Sequence, residues 1–262
     1  MTTPPAMIRR TLKMTFWMAY DHLGTLAVLN VLCMLFIAPA AAMAGSALLS
    51  PDPARRVFVG LPLLLLTGGV FLPLGAVGLA EMLRGCLTSH EARWACFWRG
   101  IRQFGLRAIM AGALLTAAAC CLAVAAWFYP RHLAPNWALA GYVLGALALW
   151  MLLLLMPVSL LVWPALVQKR QPVLSTLKLC VLLVLANPLY FAAFTASAVT
   201  GVLAALLPPL WLLFSLAPLL VLATSAYEVL ARRYATAVPS EDNTEDDYLN
   251  RGLRDLLFPW KG

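Results

Sequence analysis

The chain has 262 residues, 63% of them hydrophobic and only 11% charged, and carries a net charge of +8. Soluble domains run nearer half apolar and about a quarter charged, so one water-soluble core cannot hide this much apolar surface, and the excess predicts contact with lipid. The positive charge clusters at the ends of apolar runs, where it sets membrane topology and meets anionic headgroups, which argues against nucleic acid as the partner.

Long apolar runs without alternation point to helices and away from a barrel, because a spanning helix satisfies its own backbone. Residues 1–22 hold the basic cluster Arg9, Arg10 and Lys13. Phe16, Trp17, Tyr20 and Leu23 recur there at helical spacing, the pattern of an interfacial helix. The first apolar run is Leu23 to Leu49, with Pro39 placed to kink or end it. Arg9-Arg10 has the look of a twin-arginine signal, and Ala42-Met43-Ala44 that of a cleavage site. Against both, Asp21 and His22 separate the basic cluster from the apolar run and further spans follow, so the first span is read as retained.

The second run, Val57 to Ala80, contains Pro62, Gly68, Gly69, Pro73, Gly75 and Gly78. Such breakers persist in membrane helices where neighbours pack closely. The stretch 78–107, GLAEMLRGCLTSHEARWACFWRGIRQFGLR, then interrupts the apolar chain with five arginines. Thr88 and Glu91 have capping-box spacing for a helix start. Beyond them Trp94, Phe97, Trp98, Ile101 and Phe104 gather toward one face, with Arg93, Arg99 and Arg102 on the polar side or its flanks. The pattern predicts an amphipathic elbow over about 88–105 on the inner membrane surface. Arg93, Trp94, Trp98, Arg99 and Arg102 are the candidate lipid- or partner-contacting residues.

The third and fourth spans cover about 108–128 and 137–163, joined by a tight link with Pro130 and Pro135. Trp127, Trp137 and Trp163 fall at span ends, as interface anchors do. Val173 to Ala186 follows a basic turn and is closed by Asn187-Pro188. At 14 residues it is short of the roughly 20 a span needs, so it reads as a second, re-entrant or interfacial elbow. It gives the chain two stretches that run down, across and up, the trace of a parallel repeat. The fifth and sixth spans fall at about 189–207 and 210–231. Residues 238–262 form an acidic linker and a short cytoplasmic tail.

The whole is an all-α, polytopic helical membrane protein, with about six transmembrane helices and one or two amphipathic cytoplasmic elbow helices. In that topology 16 of the 19 basic residues lie inside, and Arg55, Arg56 and Arg131 outside. The positive-inside rule then places both termini in the cytoplasm. The six cysteines include no CxxC pair and read as small buried hydrophobes.

Chemistry is sparse. No phosphate loop, HExxH, GxSxG or dinucleotide fingerprint occurs. His90 and Cys86 are two ligands short of a metal site, so no cofactor or metal is expected. Asp21-His22 is an interfacial polar pair. Glu81 with Arg84, and Glu228 with Arg232, are spaced for helical ion pairs. Asn30 is the candidate intramembrane polar contact, two turns into the first span and able to bond to another helix. An enzyme is not expected, since no His, Asp or Ser groups converge.

Three segments carry a resemblance: YDHLGTL (20–26) with Asn30 and Pro39, GLAEMLRG (78–85), and WACFWRGIRQF (94–104). In their order they resemble the YesL-like family of bacterial integral membrane proteins. The resemblance implies the bacterial inner membrane and a link to carbohydrate uptake. It brings no catalytic residues with it. An accessory or interaction component is therefore the expected function, with anionic headgroups, a membrane-protein partner or a second copy of the chain as partners. A small-solute transporter or channel, its path lined by the kinked second span and Asn30, is the alternative.

Overall fold

The structure is a computed structural model and describes residues 4–89, 93–133, 137–205 and 215–234. The described residues form helices and no strand. We number them α1 (Pro4–Asp21), α2 (Leu23–Leu48), α3 (Pro53–Thr88), α4 (Trp94–Leu133), α5 (Ala138–Lys169), α6 (Val173–Ala186), α7 (Pro188–Ala205) and α8 (Leu216–Tyr234). The predicted all-α class therefore holds, and the long apolar helices make the protein a multi-pass membrane protein.

Six predicted spans become fewer among the described residues. α3, α4 and α5 are each long and apolar enough to cross a bilayer. Counting each bent pair as one span, α1–α2 (87°) and α6–α7 (104°), raises the number to five. The expected sixth, 210–231, is α8. It begins at Leu216 and carries Glu228, Arg232 and Arg233, so its apolar stretch is short. Residues 210–214 and the acidic tail 238–262 lie outside the described residues.

The largest correction concerns the first elbow. From Trp94 on, the expected surface helix at 88–105 and the span at 108–128 are one continuous helix, α4. No proline interrupts 94–128, and its glycines sit where α3 presses closest. A Cβ on Gly100 would meet Glu81 Cβ at 2.8 Å and the Val77 carbonyl at 2.9 Å. One on Gly112 would meet Pro73 Cγ at 2.1 Å. These glycines let two backbones approach, as small residues do between membrane helices, and they are not hinges. At 1.5 Å per residue the 40 residues of α4 measure about 60 Å, twice the hydrocarbon thickness of about 30 Å. Its basic first third is a continuation of a spanning rod.

Thr88 does not cap α4 either. It lies at the end of α3, where its hydroxyl donates to the Arg84 carbonyl at 3.1 Å. Arg93 occupies the N-cap of α4 without a side-chain capping bond. The down-across-up repeat loses its first copy as a result. α3 and α4 make a plain hairpin, whereas α6 is bounded where the sequence places it and meets α7 at 104°.

Prolines inside the other helices do not end them. α2 runs through Pro39, and α5 runs through Pro157 and Pro164 to Lys169, six residues beyond the expected span. α8 is the hub, touching α1, α2, α3, α5 and α7. Eleven of its 19 residues are buried, and Ala217, Ala223, Ser225 and Ala226 let neighbours come close. α1 lays Met7, Thr11, Met14, Trp17 and Met18 inward, and packs on α8 and α7. Its outer stripe, Leu12, Phe16 and Tyr20, stays exposed.

Candidate functional site: the basic end of the bundle

The folded chain sorts its basic residues by end. Met7 meets Arg233, Gln168 meets Glu228, and Arg107 meets Arg170. These contacts gather the start of α1 and the first part of α4 with the ends of α5 and α8, and Gly100 against Glu81 adds the end of α3. Arg9, Arg10, Lys13, Arg84, Arg93, Arg99, Arg102, Arg107, Lys169, Arg170, Lys178, Arg232 and Arg233 belong to that end. Arg55, Arg56 and Arg131 belong to the other, at the start of α3 and the far end of α4.

The candidate docking residues occupy the first turns of α4. Arg93, Arg99 and Arg102 are exposed, and Trp94 and Trp98 remain 44% and 53% exposed. The aromatics do not share one face as the sequence implied. Phe97 and Phe104 are buried and Ile101 partly so, whereas Trp94 and Trp98 point away from the core. At the 100° step of a helix Phe97, Ile101 and Phe104 fall within about 60° of one another and Trp98 lies to their side, whereas Trp94, a heptad before Ile101, is left exposed in the first turn. The Trp98 ring meets Phe97 edge-on, with centroids 5.5 Å apart. Large rings beside arginines, held out by a packed opposite face, make an amphipathic surface that fits headgroup depth or a protein partner.

Behind this face Glu81 is 2% exposed and takes a bidentate grip from Arg84, with Nη2–Oε1 at 2.8 Å and Nε–Oε2 at 2.9 Å. The pair read from i,i+3 spacing is therefore made, and Gly100 of α4 sits directly upon it. The Glu228–Arg232 pair is made as well, at 3.1 Å. His90 and Glu91 lie outside the described residues.

Asn30 is fully buried and does bond to another helix. Its Oδ1 accepts from the backbone N–H groups of Leu216 and Ala217 at 2.8 and 2.9 Å, and its Nδ2 donates to Ser215 Oγ at 3.3 Å. Asn30 thus caps α8 from a different helix. The next residue, Pro218, has no N–H to satisfy. Three of the four free donor positions at the start of α8 are thereby used or absent, as an apolar surrounding favours.

Two further polar clusters had no sequence signal beyond isolated polar letters. Asn187, at the α6–α7 bend, donates to the Leu183 carbonyl and to Tyr234 Oη, and accepts from Arg233 at 3.1 Å. Thr11 of α1 bonds Tyr190 of α7 at 2.8 Å. Arg170 closes α5 in a left-handed conformation, φ 53°, and its carbonyl accepts from Arg107 at 3.1 Å. These bonds fasten helix ends to one another.

No family model, curated protein or solved structure matches the chain.

Proposed function

We propose that this is a multi-pass protein of the bacterial inner membrane, with both termini in the cytoplasm, that serves as an accessory or interaction component. The observation that carries this reading is the face made by Arg93, Trp94, Trp98, Arg99 and Arg102. Two half-exposed tryptophans among three exposed arginines stand on a helix whose other side is locked against α3. The grouping of basic residues at that end supports its cytoplasmic placement. The YesL-like resemblance supplies the link to carbohydrate uptake, with a membrane-protein partner as the occupant of the face.

Extraction in mild detergent and affinity pull-down test the reading. The wild-type chain is expected to retain a membrane-protein partner that the triple reversal Arg93→Glu, Arg99→Glu, Arg102→Glu loses. Recovery of the chain alone in both cases sinks it. A transport path lined by Asn30 has less support, because the amide is spent on capping α8.

A further inference from the structure

The seam between α4 and α5 opens into a cleft of about 710 Å³, closed at one end by the first turn of α8 and on one side by α3. Its lining is apolar apart from the hydroxyls of Thr116 and Ser159, with the Cys120 thiol, the Met156 thioether and the Trp163 indole N–H as its other side-chain heteroatom groups. The Ser159 hydroxyl is already used, donating to the Met156 carbonyl at 2.7 Å. Ordered water needs two to four polar partners, which these walls do not supply.

The cleft is long and open. Along α5 it runs from Leu149 to Trp163, about 21 Å at the helical rise. One leaflet supplies about half of the roughly 30 Å hydrocarbon core, so the cleft is longer than a leaflet is deep. Its rim residues Leu149 and Leu153 are 53% and 50% exposed, among the other outward leucines of α5. It therefore opens onto the same surface that the bilayer solvates.

We propose that this cleft seats one acyl chain of a membrane phospholipid. The chain enters past Leu149 and Leu153 and ends against Trp163 and Leu220. Its recognition is by shape and apolar contact, and it uses no residue of the docking face on α4.

The test uses the full chain with Trp163 as its only tryptophan, the other eight replaced by phenylalanine. It is reconstituted in phosphatidylethanolamine vesicles with and without dibrominated acyl chains. Trp163 lines the cleft and is only 4% exposed, so bromine seated in the cleft lies against its ring. Brominated lipid is expected to remove more than half of the emission. Ala119→Phe, which fills the cleft, restores it, and Ala117→Phe on the exposed side of α4 does not. Unchanged emission with brominated lipid overturns the proposal, as does equal quenching in Ala119→Phe. Should the single-tryptophan chain fail to fold, native mass spectrometry of the otherwise unaltered chain decides. A phospholipid bound one to one, lost in Ala119→Phe and kept in Ala117→Phe, is the expected result. A chain free of lipid, or lipid retained equally in both variants, overturns it.

Discussion

At the residue scale, Asn30 shows how one polar side chain governs a helix it does not belong to. The backbone donors of Leu216 and Ala217 have no water to turn to, and the Asn30 amide oxygen serves both. A buried donor left unsatisfied costs about 1–3 kcal/mol. Asn30→Leu strands two of them, for a loss of about 2–6 kcal/mol, and thermal unfolding in detergent is expected to show a clear fall in Tm. Asn30→Asp keeps an acceptor at the positive end of the α8 dipole and is expected to fall between the two. A Tm for Asn30→Leu within a degree of wild type would falsify the cap. That Asn30 bonds across helices was legible from its place in an apolar run. That it caps a helix starting 186 residues later was not, because a cap from elsewhere in the chain has no local spacing.

At the element scale, the α3–α4 hairpin turns on where its glycines lie. Gly100→Ala pushes a methyl onto a backbone carbonyl and the Glu81 Cβ, neither of which can rotate away. Overpacking of this kind costs about 1–3 kcal/mol. At Gly105 the nearest atom is the flexible tip of Leu74 at 3.2 Å, and alanine recovers about 1 kcal/mol of helix propensity. Thermal unfolding is therefore expected to rank Gly100→Ala well below wild type and Gly105→Ala near it. Equal effects would show that the hairpin does not close at Gly100. The elbow was misplaced because, in sequence, arginines and a capping-box spacing between two apolar runs read as a boundary. In the folded chain Glu81 and Arg84 neutralise each other beneath Gly100, and the helix passes straight through.

At the scale of the whole molecule, the two ends differ in charge, and the positive-inside rule turns that difference into an orientation that can be tested. Single cysteines placed at Ser50 and at Gln171, in a chain otherwise free of cysteine, are expected to label differently in intact bacterial cells. An impermeant maleimide should reach Ser50→Cys directly and Gln171→Cys only after lysis. The reverse pattern would turn the protein over and put the arginine and tryptophan face of α4 outside. The sequence by itself determined the helical membrane class, the basic end and the helical ion pairs. It also bounded α6, since Pro172 and Asn187-Pro188 act on their own neighbours. Those features arise from composition, from turn residues and from spacings of three or four. Only the tertiary structure decided that α4 is one rod, that α8 is the buried hub, that Trp94 and Trp98 part company with Phe97, and that an open apolar cleft lies between α4 and α5. Each of those depends on which helices meet, and lipid-facing and helix-facing leucines read alike in a chain whose solvent is as apolar as its core.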